Sequence, residues 1–576
     1  MIKPIPPQAI FIIGALLIPF LKGKIKSLYM LLLPVFAFIS LVNMPKGKYW
    51  VYKFMNYDLI FGRVDGLSLI FLYIFVIISF VAVLYALHVK DDIQHVAAFS
   101  YAGGALGVTL AGDLFTLYLF WELMAIGSTF LVWSRRTEAS KRAGYRYFAW
   151  HFLGGLCLLA GIILYVVQRG TIEFDFIGLS DPASYFIFVG FILNAAVFPL
   201  HAWLADAYPQ ATVTGAVFMS ALTTKSAVYI LARTFPGTHI LIWAGAFMTC
   251  YPIFYAVIVN DMRRVLAYSL INQVGFMLVG VGIGTQLAIN GAAAHAFAHI
   301  IYKALLFMSI GAVIHQTGKS KGTDLGGLYK TMPYTAVCCM IGAASISAFP
   351  LFSGFVSKSM TVTAAAEEHL VLVWFLLQFA SAGVFHHAGI KVPFFTFFGH
   401  DSKIRAKEPP WNMRIAMGIA AFLCIFLGVY PAPLYAILPY PVHYVPYTGF
   451  HVVAQLQLLM FGALAFTLLV LSGYYPAELR ATNLDTDWFF RKPGNLFIAF
   501  CKKPVKDFFG FFDGVVMGVV RYVSNVSRNP IMGIKMMLGQ AAEVNDYDEN
   551  VHRAPIGLGV SLALIFFVIW VIINFS

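Results

Sequence analysis

Apolar runs of about 20 residues recur from one end of the chain to the other, separated by short polar segments. Because a helix rises about 1.5 Å per residue, each run can cross the hydrocarbon core of a bilayer, which is about 30 Å thick. About 16 spans are predicted, near 8–21, 26–43, 64–88, 96–112, 114–133, 144–168, 184–203, 212–234, 238–259, 264–282, 289–315, 333–364, 371–399, 413–432, 452–474 and 556–574. The pattern predicts an all-α polytopic membrane protein with about 14–16 transmembrane helices.

Two of these spans carry the same interruption. Residues 197–203 read Val-Phe-Pro-Leu-His-Ala-Trp and residues 348–354 read Ala-Phe-Pro-Leu-Phe-Ser-Gly. Pro199 and Pro350 each remove a helix hydrogen bond, so both spans are predicted to break. Broken helices at matching positions in two halves are typical of transporters with inverted repeats. The alternative is that two ordinary proline kinks match by chance.

The two broken spans lie five spans apart, which predicts two five-helix repeats that are inverted relative to each other in the membrane. The chain is therefore divided into 1–95 (N-terminal transmembrane helices), 96–234 (first repeat, the input half), 235–400 (second repeat, the output half), 401–475 (peripheral helices), 476–555 (an amphipathic lateral segment) and 556–576 (a terminal transmembrane helix).

Five ionisable residues stand alone inside apolar runs: Glu122, Lys225, His299, Lys303 and Lys358. A charge at the membrane centre costs about 2.5–3.5 kcal/mol on insertion scales, so such residues usually serve proton relays, ion pathways or counter-ions. Glu122 needs either a cation partner or a raised pKa, and Lys225 is the obvious candidate for the partner. The alternative for each residue is a snorkelling side chain or a static buried ion pair.

His295, His299 and Lys303 follow one another at steps of four residues and therefore share one helix face. Imidazoles titrate near neutral pH, so this stripe is interpreted as a proton relay. A metal site and a purely structural polar contact are the alternatives, and no metal is predicted because no acidic third ligand accompanies the histidines. Asp206 and Asp113 lie at span ends, where ion pairing and a structural loop role are equally compatible with the pattern.

The charge distribution decides between a membrane and a polyanionic partner. The chain is 60% apolar and 11% charged, with a formal net charge of +13. Basic residues cluster in every second loop, whereas the intervening loops are acidic or neutral apart from the loop before residue 64. This is the positive-inside pattern, which places the basic loops in the cytoplasm, most simply at a prokaryotic inner membrane, and predicts no nucleic-acid partner.

No motif for redox or hydrolytic chemistry is present. The six cysteines form no Cys-x-x-Cys pair, and neither a phosphate-binding loop nor a dinucleotide fingerprint occurs. No cofactor and no catalytic residue are predicted, so the chain is at most the ion-translocating subunit of a larger translocase.

The region 478–555 is rich in Lys, Phe and Gly, and Pro493, Pro504 and Pro530 are expected to break it. Basic residues stand beside an aromatic cluster, which is typical of an amphipathic helix at a membrane surface: Lys502, Lys503, Lys506, Phe508, Phe509, Phe511 and Phe512. Glycines recur every four residues at Gly510, Gly514 and Gly518, which permits close helix contact. A solvated linker is the alternative.

Five segments together resemble the antiporter-like subunits shared by respiratory complex I, membrane-bound hydrogenases and Mrp-type sodium/proton antiporters, and the chain is similar to the Mrp D subunit. They are Phe-Trp-Glu-Leu-Met (120–124), Phe-Pro-Leu-His-Ala-Trp-Leu-Ala-Asp-Ala (198–207), Arg-Arg-Val-Leu-Ala-Tyr-Ser-Leu-Ile-Asn-Gln-Val-Gly (263–275), the stripe at 295–303, and Gly-Gly-Leu-Tyr-Lys through Gly-Phe-Val-Ser-Lys (326–358). The resemblance covers roughly residues 60–400. The C-terminal segment is similar to the lateral helix and last span of the distal complex I subunit, which implies that it braces a neighbouring subunit.

The resemblance implies roles for these residues. In the family a span-five glutamate pairs with a span-seven lysine, and a span-eight lysine or histidine connects to a central His/Lys stripe. A span-twelve lysine or glutamate ends the path. Glu122, Lys225, the stripe and Lys358 fill these places. The place of the span-seven lysine is not filled by a lysine, because that position holds Asn194. Three alternatives follow. Glu122 pairs with Lys225, or protons pass through the input half by a different set of residues, or the subunit conducts protons poorly and is mainly structural.

The sequence thus predicts a proton-translocating subunit of a complex-I-like or Mrp-like ion pump, with sodium exchange as a variant. Its expected partners are other membrane subunits, together with a hydrogenase, a quinone reductase or a carbonic-anhydrase-like module. The two rival functions are a structural or coupling subunit with an impaired channel, and the energy-coupling subunit of an inorganic-carbon uptake complex.

Overall fold

The computed structural model describes residues 4–476, 483–528, 534–535, 537–539 and 554–575. The chain divides into two compact units, Met1–Asp487 and Trp488–Ser576. Twelve helices within the described residues are long and apolar enough to cross a membrane, and three shorter apolar helices accompany them. The all-α polytopic architecture expected from the apolar runs is confirmed.

The first unit begins with two helices, a β-hairpin and a third helix: α1 (Pro7–Leu17), α2 (Gly23–Val42), β1 (Gly47–Phe54), β2 (Tyr57–Val64) and α3 (Gly66–Ala86). The hairpin is antiparallel and pairs Gly47 with Val64 and Phe54 with Tyr57. Only a loop was expected here from the sequence, although β-branched and aromatic residues recur on both sides of Met55 and Asn56.

The first five-helix group contains α4 (Asp92–Leu110), α5 (Leu114–Trp133), α6 (Glu138–Arg169), α7 (Pro182–Asn194) with α8 (Ala202–Ala207), and α9 (Gly215–Ala221) with α10 (Thr223–Thr234). The second contains α11 (His239–Ile258), α12 (Met262–Ile283), α13 (Gln286–Thr317), α14 (Pro333–Ile346) with α15 (Ser353–Glu367), and α16 (Val371–Val384). Beyond α16 the chain continues through two π-helical stretches, Phe385–Lys391 and Phe394–Phe398.

The helices that precede the two breaks end with the same backbone motif. Ala196 and Ala348 adopt left-handed conformations with φ of 56° and 57°. The next amide donates across six residues in both cases, from Val197 to Ile192 at 3.1 Å and from Phe349 to Ala344 at 3.0 Å. This is the Schellman cap, after which a proline commonly follows. The prolines therefore follow helices that the cap has already ended.

Three further helices complete the first unit: α17 (Trp411–Val429), α18 (Ala432–Ala436) and α19 (Gly449–Leu471). The short α20 (Asp487–Arg491) begins at the boundary between the units. We call the end of the bundle with the loops around Arg135, Arg263 and Lys319 the basic side. The end with Asp175 and Glu367 is the acidic side.

The second unit contains α21 (Pro493–Arg528) and α22 (Ile556–Phe575). Helix α21 has 36 residues and is strongly amphipathic. The expectation that Pro504 breaks this region was wrong, because α21 continues through Pro504. Pro493 is the first residue of α21, where a missing amide costs nothing. Pro530 lies outside the described residues.

Candidate functional site

Lys225 lies at an interruption in the last span of the first group. Leu222, with φ −99° and ψ −68°, separates α9 from α10. The Lys225 side chain is fully buried, and its Nζ donates to the carbonyl oxygen of Ser220 at 2.6 Å. A carbonyl freed by the interruption is thus satisfied by a cation, which suits the negative end of a helix.

The stripe on α13 is completely buried: His295, His299 and Lys303 have no exposed surface. His295 is held from two sides, with Nε2 3.2 Å from Gln273 Oε1 and Nδ1 3.3 Å from Ser357 Oγ. Gln273 Oε1 also accepts a hydrogen bond from the Tyr302 hydroxyl at 3.0 Å. His295 therefore joins α12, α13 and α15 through hydrogen bonds.

The centre of the stripe has a different character. Among the described residues, the two ring nitrogens of His299 have no hydrogen-bond partner. The same is true of Lys303 Nζ. Lys303 lies one helical turn beyond His299 on the same face of α13. Buried polar atoms without protein partners are normally satisfied by water. The polar atoms of His299 and Lys303 are thus suited to hydrogen bonding with water.

Lys358 occupies the second broken helix. It lies in α15, and its Nζ donates to the carbonyl oxygen of Ile346, the last residue of α14, at 3.1 Å. The same ammonium lies 5.1 Å from the centre of the Phe276 ring. Lys358 thus bridges the two halves of the broken helix.

A cavity of about 580 Å³ adjoins Lys358 and extends to Ala366, next to Glu367 on the acidic side. Its polar lining comes from several elements: Ser359, Thr363, Gln378, Tyr444, His451 and Gln455. The cavity is large enough for several water molecules, and Lys358 forms part of its wall.

Glu122 lies midway along α5 and is partly buried. It borders an open apolar cavity of about 400 Å³ that is lined by Phe54, Phe115 and Tyr118. Its Oε1 has no hydrogen-bond partner, and no ion pair between Glu122 and Lys225 occurs in the part of the chain that the structure describes. The two residues expected to pair are therefore not in contact.

Asn194 is the last residue of α7 and is completely buried. Its Oδ1 lies 2.8 Å from Nδ1 of His151 on α6. His151 was not singled out from the sequence, although it stands inside the sixth predicted span. An ionisable side chain in an apolar run was the signal that would have found it.

The two aspartates at span ends have distinct surroundings. Asp206 receives two hydrogen bonds from Arg146, at 2.7 and 3.0 Å. Asp113 is the N-cap of α5 and accepts from Thr116 and from the backbone amide of Ile60 at 2.6 Å. Asp113 thus anchors the β-hairpin to α5.

Two further buried groups were missed. The first consists of His387 and Lys391 on the first π-helical stretch after α16. Lys391 Nζ donates to the carbonyls of Val257 and Val259 at the end of α11. Within the described residues, neither His387 ring nitrogen has a hydrogen-bond partner. π-Helical turns are frequent at functional sites.

The second group surrounds Asp485, which follows α19. Its carboxylate accepts from the hydroxyls of Tyr251 and Tyr268, the latter at 2.7 Å, and lies 3.3 Å from His201 Nε2. No sequence pattern pointed to Asp485, because it stands in a polar segment far from its partners.

Across residues 4–476 and 483–528, no group of three or more His, Cys, Asp or Glu side chains could hold a metal ion. The arrangement is instead a line of buried cations and imidazoles, from Lys225 through α13 to Lys358, followed by a cavity. Such a line can take up, hold and release protons.

Residues 111–383 match the transmembrane family of NADH:quinone oxidoreductase and Mrp antiporter subunits. The D subunit of the Na(+)/H(+) antiporter of Alkalihalophilus pseudofirmus is 30% identical over 359 residues, which are 58% of this chain and 72% of that protein. The chain belongs to this family. The resemblance stated from the sequence motifs is therefore confirmed.

The A/B subunit of the probable K(+)/H(+) antiporter of Rhizobium meliloti is 31% identical over 403 residues, which are 64% of this chain but only 40% of that protein. The chain therefore spans less than half of that relative. A component of an archaeal respiratory complex, the membrane-bound sulfane sulfur reductase, has the same fold with a TM-score of 0.66 and 26% identity. The match covers 75% of this chain and 95% of the other.

Proposed function

We propose that the chain is the proton-translocating subunit of a multisubunit membrane complex of the Mrp or complex I type. The basic side faces the cytoplasm, and the path runs from Glu122 and Lys225 through His299, Lys303 and His295 to Lys358. It leaves through the cavity beside Lys358 toward the acidic side. The energy comes from a partner subunit or from an existing ion gradient, with sodium as the exchanged ion where the complex is an antiporter.

The observation that carries this proposal is the set of buried polar atoms at the centre of α13. His299 and Lys303 have no exposed surface and no protein partner among the described residues. An unpaired buried charge is costly, and proteins rarely retain one without a function. In a hydrated relay, water supplies the hydrogen bonds that these atoms lack, and the same atoms accept and donate the transferred protons.

The rival function of a structural or coupling subunit with an impaired channel rests on Asn194. That residue has no charge, and it replaces the lysine that the family resemblance leads one to expect. If this replacement blocks the first repeat, Asn194→Lys increases proton flux.

The first experiment measures proton and sodium flux in vesicles that contain the native complex. We expect Lys225→Ala and Lys358→Ala each to lower flux at least about tenfold, a lower bound beside the roughly 10²–10⁴-fold contribution of a single proton-transfer group. Assembly is checked by the amount of intact complex. Lys330→Ala, at an exposed turn, is the control.

Lys358→Arg separates transport from structural capping. Arginine keeps the charge and the hydrogen-bond donors but does not release a proton, and the adjoining cavity has room for the larger side chain. A relay role predicts loss of flux with normal assembly. Normal flux in Lys358→Arg means that Lys358 is a helix cap, and normal flux in every lysine variant overturns the proposed function.

A further inference from the structure

Glu122 and the hydrogen-bonded pair His151 and Asn194 lie along one face of α6, where α5 and α7 pack against it. An ideal Cβ atom on Gly155 of α6 would lie 1.9 Å from Glu122 Oε1, so the carboxyl group occupies the space of the missing side chain. His151 lies four residues earlier on α6 and therefore on the same face. Leu193, next to Asn194, packs against the neighbouring Gly154. The two glycines bring α5 and α7 against the His151 face.

Each of these side chains keeps one polar atom without a hydrogen-bond partner among the described residues: Glu122 Oε1, His151 Nε2 and Asn194 Nδ2. His151 is only 1% exposed and Asn194 is not exposed at all. With Asn194 Oδ1 as the acceptor, Nδ1 of His151 carries its hydrogen and Nε2 is left as the proton acceptor.

The surroundings of His151 lead toward Lys225. Its ring packs against the tilted ring of Tyr147, with centres 4.2 Å apart, and meets Trp203 edge to face at 4.6 Å. The Tyr147 hydroxyl donates to Ser128 at 2.9 Å and is close to the side chain of Thr223. Thr223 begins α10, two residues before Lys225.

We propose that His151, oriented by Asn194, is the proton-carrying partner of Glu122 in the first repeat, in the role that a lysine on the helix before the break would otherwise have. The inference rests on the proposed function. The proton leaves the Glu122 carboxyl group and passes through water to His151 Nε2, giving a carboxylate and an imidazolium. Nδ1–H stays bonded to Asn194 throughout, so Nε2 also releases the proton toward Tyr147 and α10.

The identity of residue 194 fits this assignment. The Asn194 carbonyl stabilises the imidazolium by accepting its Nδ1–H at 2.8 Å, whereas a lysine ammonium at position 194 would repel it. His151 and Asn194 are therefore a matched pair, and changing both should exchange one cation for the other.

The test is a set of four proteins in vesicles of the native complex: the unchanged chain, His151→Ala, Asn194→Lys, and the double variant. We expect His151→Ala to lower proton flux at least about tenfold. Asn194→Lys alone should not raise flux, because the first repeat already has its cation. The double variant should recover at least about a third of the original flux, since its lysine replaces the lost imidazole. Cys157→Ala, also on α6 and half-buried, is the matched control.

Normal flux in His151→Ala overturns the inference, and so does a severalfold gain in Asn194→Lys, which would show a blocked first repeat. Loss of proton flux in His151→Ala without recovery of flux in the double variant also overturns the inference, because the role of His151 is then structural. Lys358→Ala in the same vesicles separates the two proposals. If Lys358→Ala abolishes flux while His151→Ala does not, only the role of His151 fails.

Discussion

Three buried lysines, Lys225, Lys358 and Lys391, share one structural role. Each donates to a carbonyl oxygen near the end of a helix inside the bundle: Ser220, Ile346, and the pair Val257 and Val259. A neutral amine still has two N–H donors, so the hydrogen bond survives when the lysine gives up its proton. A lysine cap can therefore hold an interrupted helix together in both protonation states, which is what a relay at a helix break requires.

Asp485 is the residue for which we make a stability prediction. Burial raises the pKa of the Asp485 carboxyl group. The contacts with His201, Tyr251 and Tyr268 lower this pKa by a larger amount, so it lies below its usual range. Its contribution is therefore present at neutral pH and is lost only when acid protonates the folded state. We expect Asp485→Ala to destabilise the protein by about 2 kcal/mol, because hydrogen bonds to a charged group are lost.

Thermal unfolding of the purified complex at pH 7 measures this effect, with the exposed Glu367→Gln as the control. An unchanged melting temperature in Asp485→Ala would mean that Asp485 does not hold its segment against α11 and α12.

At this scale the sequence revealed Glu122, Lys225, Lys358 and the stripe because a charge in an apolar run is conspicuous. His151 was overlooked because a strongly basic segment precedes it, and Asp485 because its partners, such as Tyr251, are distant in the chain. Local pattern cannot show which polar groups a fold brings together.

At the scale of elements, the two broken helices were predicted because a proline in a span is a strong local signal. The sequence could not show that a left-handed alanine, Ala196 or Ala348, ends each helix first, since this depends on backbone geometry. The β-hairpin was missed because its residues lie between apolar runs that dominate the pattern. Pro504 was misjudged because a long amphipathic helix can absorb one proline, which costs about 3 kcal/mol.

Gly354 is required by the second break. It is the second residue of α15, and a Cβ atom there would lie 1.8 Å from the carbonyl oxygen of Ser345. We expect Gly354→Ala to destabilise the complex by about 1–3 kcal/mol and to lower flux, because the two halves of the broken helix must move apart. Thermal unfolding and vesicle flux are the measurements.

Gly449→Ala is the matched control, since nothing lies within 4 Å of the added atom at the start of α19. Equal behaviour of the two variants would contradict a close approach of α15 to the end of α14.

At the scale of the whole molecule, the direction of the proposed path depends on orientation. The cavity beside Lys358 reaches Ala366, near the acidic end of α15, while the paired Arg146 and Asp206 lie toward the basic side. The proposed path takes the basic side as cytoplasmic, as the positive-inside rule predicts. Protons that reach Lys358 would then leave on the outer side of the membrane.

Cysteine labelling tests this orientation in a variant whose six native cysteines are replaced by serine. Lys141, on the basic side, and Glu367, on the acidic side, are both exposed, so a cysteine at either position should react readily. We expect a membrane-impermeant maleimide to label Lys141→Cys only in inside-out vesicles and Glu367→Cys only in right-side-out vesicles. The opposite result would reverse the path, because the cavity beside Lys358 would then be the cytoplasmic entrance and Glu122 would belong to the exit half.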